Sequence, residues 1–418
     1  MQRDIFRTKE EGLLMIERKT KTFWQATMAL GVSSLLIFAN MYFPQPLLPL
    51  FSDEFNVSET TSSLLISISL FVLGVSFFLY TALSDAYGRR NIIFIAMVLG
   101  TIGTVGISIA PTFEWMLMAR MFQAAALAGI PVAAMAYISE EFSVRAMTIA
   151  VGIYISCNSL GGMGGRVLSG VVTDSWDWRT AFIMMAIINF LLFIVVYILL
   201  PYSRQFQPRP FQLKEVFQNN LYHLANPIMT YAYIIGGLHF LVFIGIFNFI
   251  TYYLSHEPFR VSTTILGLLF LTYGAGTISS TLAGRAAQRW KQTTCMGIGI
   301  ICMVFSIAMT LIPSFFIIII ALIILSFGFF FVHSSSSSWV TRHAEEAKAS
   351  ASGLYLTSYY LGGSLGSLYF GWLWSHFAWT GVTLGALFVL AGTSICVILL
   401  NKKEKQEVES TPVNSAVE

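Results

Sequence analysis

Twelve apolar runs, each long enough to cross a bilayer, follow one another between residues 24 and 400. They fall at roughly 24–50, 60–83, 91–110, 115–138, 147–172, 180–200, 227–254, 262–284, 293–313, 315–338, 351–374 and 380–400, and we number them span 1 to span 12. A hydrocarbon core of ~30 Å takes ~20 helical residues. Backbone groups find no water there, so each run is predicted to be helical. Only 11% of the 418 residues are charged and 56% are hydrophobic, where soluble domains carry ~25% charge. No soluble core hides so much apolar surface, so the expected class is an all-α polytopic membrane protein. Cys157, Cys295, Cys302 and Cys396 lie inside apolar runs and make no CxxC pair. Neither a disulfide framework nor a metal site is expected. No cofactor and no nucleic-acid partner is expected either.

Lys and Arg set the orientation. With both tails in the cytoplasm, Arg3, Arg7, Lys9, Arg18, Lys19 and Lys21 lie inside. So do Arg89, Arg90, Arg145, Arg204, Arg209, Lys214, Arg285, Arg289, Lys291, Arg342 and Lys348, with Lys402, Lys403 and Lys405 in the C-terminal tail. Of the 24 basic residues only Arg179 and Arg260 fall outside, and Arg120 and Arg166 lie within spans. The positive-inside rule therefore puts both termini in the cytoplasm of a multi-pass cell (inner) membrane protein. Residues 1–22 are too charged for a signal n-region, so span 1 is expected to be retained.

The longest connection, residues 201–226, holds Pro201, Pro208 and Pro210 and reads as a cytoplasmic linker between two six-helix bundles at 23–200 and 227–400. Residues 401–418 form a polar tail, expected to be disordered from 404 on. The halves repeat. Gly152, Tyr154, Leu160, Gly161, Gly162, Gly165 and Gly170 recur 201 residues later as Gly353, Tyr355, Leu361, Gly362, Gly363, Gly366 and Gly371. Trp178 recurs as Trp379 at the same offset, and Phe55, Val57 and Ser58 recur at an offset of 204. An even number of spans separates the copies, so they are parallel repeats, a plan used by transporters.

Between spans 2 and 3 stands a charged island, Leu83-Ser-Asp-Ala-Tyr-Gly-Arg-Arg90. A tight turn there uses Asp85 for free backbone N–H groups and Gly88 for a φ other residues resist. With Thr81 in place of a leading Gly, this island resembles the loop signature of the major facilitator superfamily. Its second copy keeps Gly284, Ala287, Arg289 and Lys291 but has Gln288 for the Asp. Further stretches resemble the bacterial twelve-helix drug:proton antiporter group: Pro46 and Pro49 in span 1, Arg120 and Gln123 in span 4 (Ala124 for the usual Gly), and Trp178-Arg179 before span 6. The helix-five motif of that group keeps its glycine pair, Gly161-Gly162, but Cys157-Asn158 replaces Gly-Pro. With Asn158 and Arg166, span 5 resembles a little-characterised inner-membrane branch. The resemblance implies two pseudo-symmetric six-helix bundles, with spans 1, 4, 7 and 10 lining a cavity. It also implies that Asp85, Gly88, Arg89 and Arg90 form an inner latch, in which Asp85 accepts from a helix N-terminus across the bundle. The rival reading is a solvated turn.

By position, the ionisable residues inside spans are Arg120, Arg166, His239 and His333. Such groups are costly in lipid and suggest function by default. Arg120 either faces the cavity, for an anionic substrate or a proton step, or is satisfied by helix carbonyls. Arg166 either binds substrate or snorkels. His239 near mid-span suits proton coupling, or is a structural His bonded to a carbonyl. His333 opens a run of five serines that line a wet vestibule or bond back to their own helix. Asn40, Tyr42, Gln45, Gln123, Asn158 and Asn248 are polar cavity candidates. Tyr154, Tyr355, Tyr359 and Tyr360 contact substrate or pack the bundle. Gly161, Gly162, Gly165, Gly362, Gly363 and Gly366 are read as helix-packing positions with small-xxx-small spacing.

No Gly-x-x-x-x-Gly-Lys-Ser/Thr occurs, so ATP drive within the chain is not supported. An intramembrane enzyme would need a paired nucleophile and base; His333 and Ser334 are adjacent and point apart on a helix. The expectation is a monomeric, non-enzymatic secondary transporter working by alternating access: proton-coupled efflux of an anionic or neutral amphiphilic small molecule. Proton-coupled uptake and passive facilitation remain the alternatives.

Overall fold

The computed structural model describes residues 15–208, 210–211, 222–344 and 348–410. Arg3, Arg7, Lys9, Arg209 and Lys214, part of the linker and residues 411–418 lie outside the described residues.

Eleven described helices are long and apolar enough to cross a membrane. Spans 1 to 5 are Lys21–Glu54, Glu59–Tyr87, Arg89–Ser108, Phe113–Glu141 and Val144–Ser175. Spans 6 to 10 are Trp178–Leu199, Pro227–Ser255, Thr263–Ala286, Gln292–Met309 and Phe315–His343. The last helix, Ser350–Glu404, has 55 residues, or ~80 Å at the α-helical rise. That is more than twice a bilayer core, and the helix is broken at Ala378, where φ is 49° and ψ is −145°. Tyr369 Oη donates to Gly385 O at 3.2 Å, and a Cβ on Gly381 would sit 2.7 Å from Leu373 O. These contacts fold it back on itself, so spans 11 and 12 form a hairpin joined at one residue, and the crossings number twelve.

Span starts are capped by their own sequence. Thr20, Ser58, Asp177 and Ser262 each accept from the backbone N–H three residues on, which satisfies an orphan donor of the first turn. The N–H of Thr180 holds the Asp177 carboxyl below its ordinary range. Span 1 stops being regular at Tyr42, passes through a 3-10 turn at Gln45–Leu47 and resumes as Leu48–Glu54. Pro44 has no N–H to give to Asn40 O, so the break leaves span 1 with carbonyls in need of other donors.

The contacts divide the chain into two compact units. The first comprises Met1–Val216 with Ile250–Leu271, and the second Phe217–Phe249 with Thr272–Glu418. In the first, span 5 lies directly on span 1: a Cβ on Gly161 would sit 2.2 Å from Leu35 O, and one on Gly165 2.6 Å from Ala39 O. In the second, span 11 lies on span 7 in the same way. A Cβ on Gly362 would sit 2.2 Å from Gly237 O, and one on Gly366 2.9 Å from Leu241 O. Gly363 is buried on the same helix. The sequence repeat is therefore a packing repeat, in which small residues let two backbones touch.

Candidate functional site

The break in span 1 decides what surrounds Arg120. Arg120 is fully buried. Its Nη1 donates to Asn40 O at 3.0 Å, its Nη2 to Met41 O at 2.8 Å and its Nε to Leu65 O at 3.3 Å. A further donation goes to Gln123 Oε1. Asn40 O and Met41 O are carbonyls of the last turn before the break. The planar guanidinium thus caps a helix end with charge-assisted bonds. Gln123 Nε2 continues the network to Asn40 Oδ1 at 3.1 Å and Thr104 Oγ1 at 2.7 Å. Asn189 Nδ2 reaches the same two atoms, each at 3.0 Å. Asn40, Thr104, Arg120, Gln123 and Asn189 form one buried knot joining spans 1, 3, 4 and 6. Thr104 and Asn189 escape a census of ionisable residues because they are neutral. The signal for Asn189 is that it is the one amide in span 6.

Arg166, 1% exposed, lies nearby on span 5. Its Nε donates to Gln45 Oε1 at 2.8 Å and its Nη1 to Gly162 O at 2.9 Å. The guanidinium carbon stands 4.1 Å from the ring centre of Tyr42 and 4.4 Å from that of Phe270. It is held between two aromatic faces, a geometry favourable to a desolvated cation. One turn on, a Cβ on Gly170 would sit 2.5 Å from Thr263 O. Asp174 then accepts from Thr263 N at 3.2 Å and Thr264 N at 3.0 Å. Arg166, Gly170 and Asp174, four apart, are one helical face against the start of span 8. Asn158, higher on span 5, keeps a buried Oδ1 with no hydrogen-bond partner among the described residues.

At the opposite ends of spans 2 and 3, Gly88 takes φ +93°, which favours glycine. Asp85 forms an ion pair with Arg89 one turn later. Arg89 also grips Glu140, Nη2 to Oε1 at 2.7 Å and Nε to Oε2 at 3.2 Å, and donates to Ser84 Oγ at 2.9 Å. Glu140, at the end of span 4, is a partner of Arg89 that the sequence reading did not name. Arg90 turns away, donating to Leu200 O at 3.0 Å, with its guanidinium 4.0 Å from the Tyr202 ring centre.

The second unit gathers His239, His333, Tyr355 and Tyr359. His239 is fully buried, with Nδ1 2.6 Å from Ile235 O and Nε2 without a partner among the described residues. Its ring centre lies 5.9 Å from that of His333 and 5.8 Å from that of Tyr359. His333 Nδ1 is 3.2 Å from Tyr355 Oη, which is 3.2 Å from Ser336 Oγ. Asn248 is elsewhere on span 7, donating to Ser367 Oγ at 3.0 Å. Of the serine run, Ser336 bonds back to Val332 O, whereas Ser334 and Ser337 are half-buried. Tyr360 meets Phe240 edge to face, and Tyr154 is buried in the first unit.

The Major Facilitator Superfamily model matches residues 30–367. The chain belongs to the Major Facilitator Superfamily. The inner membrane transport protein YnfM of Escherichia coli (strain K12) is 36% identical over 375 residues, covering 90% of this chain and 89% of that protein. The uncharacterized MFS-type transporter YybF of Bacillus subtilis (strain 168) is 32% identical, covering 90% and 93%. Among solved structures, a bacterial homolog of the human lysosomal transporter Spinster superposes with TM-score 0.72 at 17% identity, over 91% of this chain and 96% of that one. A D-xylose–proton symporter gives 0.67 at 16%, over 88% and 97%. At such identities these two show the fold alone. Membership makes the protein a multi-pass membrane transporter of a small molecule and not an enzyme, with the superfamily's two-domain, twelve-helix fold.

Proposed function

We propose that this superfamily member exports an anionic or neutral amphiphilic small molecule in exchange for protons. It works by alternating access as a monomer in the cell membrane, with both termini in the cytoplasm. One observation carries the reading. The ionisable groups set inside spans among the described residues are Arg120, Arg166 and His239, all buried, and His333, half-buried; all are basic, while the described carboxylates stand at span ends. A permanently cationic solute would meet buried positive charge and no counter-ion, at a high desolvation cost. The imidazoles are the groups inside the second unit that can take up and release a proton. The Asp85–Arg89–Glu140 cluster serves as the latch at one end of the first unit, and Asp174 on span 8 as a contact at the other.

The unbroken helix through Cys157-Asn158-Ser159 favours a second reading, proton-coupled uptake, because a Pro kink at this place goes with exchange in the group the sequence resembles. Proteoliposomes decide. An imposed pH gradient should drive uphill movement of an anionic or neutral dye and leave ethidium unmoved, and the sign of gradient that accumulates the dye gives the direction. Selective, strong transport of ethidium would overturn the substrate class. Asp85→Asn should cut transport while leaving the amount of membrane-inserted protein unchanged, and full transport by that variant would remove the latch.

A further inference from the structure

We propose that His239, His333, Tyr355 and Tyr359 form a binding site for an uncharged, flat aromatic solute bearing an O–H or N–H donor, and that proton and solute compete there for one atom, Nε2 of His239. The proposal rests on the proton-exchange reading above and names the place of exchange.

Ile235 O can only accept, so Nδ1 of His239 carries the hydrogen at 2.6 Å and, in the neutral ring, Nε2 holds a lone pair. That lone pair is buried and unpartnered among the described residues. An unmet buried acceptor is costly and asks for an explanation. A solute donor would supply the missing bond. His333 provides the complement. Ser336 Oγ spends its hydrogen on Val332 O, so Tyr355 Oη donates to Ser336 Oγ, to His333 O or to His333 Nδ1. When His333 Nδ1 accepts, its Nε2 carries hydrogen. The two rings then offer one acceptor and one donor, a match for a hydroxyl or an amide.

The walls are flat aromatic faces. Phe240 stacks on Tyr359 and Phe243 on Phe329, each pair with ring centres 3.7 Å apart and planes within 9°. The surroundings of the two imidazoles thus pack flat rings face to face, a geometry that a planar solute ring would share. The approach is written into span 10, where Phe330, His333, Ser334 and Ser337 are half-buried at helical spacing, while Phe329 and Val332 are buried. This stripe leads to His333 and from it to His239.

Exchange follows from a single lone pair. When Nε2 of His239 takes a proton it becomes a donor and can no longer accept the hydrogen of the solute, so that bond is lost. When the solute returns, the proton leaves. No covalent bond of the solute changes. Within the second unit the titratable groups facing His239 are His333, Tyr355 and Tyr359; among the described residues no carboxylate, Lys or Arg contacts it.

The test uses the full chain in detergent with 2-naphthol, an uncharged fluorescent O–H donor, and 2-methoxynaphthalene, which has the same ring and no donor. Saturable 2-naphthol binding is expected at about pH 8, and binding weaker by at least about tenfold at about pH 5, the pH range over which an imidazole charges. The methyl ether should bind at least about tenfold more weakly at the higher pH. Adding 2-naphthol in weak buffer at about pH 6 should release protons. His239→Gln, whose amide oxygen accepts but does not titrate, should keep binding and lose its pH dependence, with His239→Asn as a second variant should Gln fail to fold. Absence of saturable 2-naphthol binding, equal binding of the ether, or pH dependence retained in both variants each overturns the site. If 2-naphthol fails to bind while a pH gradient still drives uphill transport, the site is wrong and the exchange reading stands. If binding behaves as stated and no gradient drives transport, the exchange reading falls alone.

Discussion

Two buried clusters, one around Arg120 in the first unit and one around His239 in the second, hold their polar groups in opposite conditions. Around Arg120, donors meet acceptors: three carbonyls, three amide side chains and a threonine close on one another. Around His239 the books stay open at Nε2. The backbone plan is shared, since Gly161 and Gly362 bring span 5 onto span 1 and span 11 onto span 7 at matching closeness. The side chains are not shared. With Leu35 and Ala39 matched to Gly237 and Leu241 by the packing, Asn40 corresponds to Val242, and at the offset of 201 Asn189 corresponds to Leu390 and Arg166 to Ser367, all buried. On one duplicated scaffold, the cluster at Arg120 is thus closed and the imidazole of His239 is left a bond short. Saturated polar groups hold helices together, while an unsaturated one waits for a ligand.

The comparison breaks most readily at Arg120. Arg120→Gln strips donors from carbonyls of spans 1 and 2, and should lower stability by more than about 3 kcal/mol, read as thermal unfolding in detergent. Arg120→Lys should not rescue it, because a compact ammonium cannot reproduce the planar fork. A stable Arg120→Gln protein that only fails to transport would make Arg120 a ligand residue and erase the contrast. Next come the two glycines. Gly161→Ala and Gly362→Ala should each cost about 1–3 kcal/mol, since a methyl must push two backbones apart. Unequal costs would show that the two packings are not equivalent. His239→Gln should change stability by less than about 1 kcal/mol while abolishing proton exchange, the reverse of the Arg120 pattern. The smallest effect is expected at Asp174→Asn, which removes a charge from the start of span 8 and keeps one acceptor, costing less than about 1 kcal/mol.

Much of the fold was legible because lipid leaves the backbone so few options. Apolar length gave the spans, and the repeat of Gly161–Gly165 at Gly362–Gly366 anticipated which helices touch. The break at Ala378 falls in the gap expected between spans 11 and 12, at 375–379, but nothing in the sequence says that the turn is so short that helix runs up to it from both sides. The candidate site was half legible. Arg120, Gln123 and His239 stand out as costly groups in lipid, but cost alone does not say whether partners await them. Those partners are backbone carbonyls, freed by Pro44 or left in the helix, and neutral side chains such as Asn189. Glu140 reads as a loop charge until Arg89 folds onto it.

The one-residue turn at Ala378 carries a mechanical consequence. With no slack between them, spans 11 and 12 can tilt only together, and Trp379, donating to Thr310 O at 3.2 Å, ties the hairpin to the end of span 9. Torque applied at Gly362 or Gly366 against span 7 is therefore delivered whole to the far end of span 12, as by a stiff lever and not a chain of links.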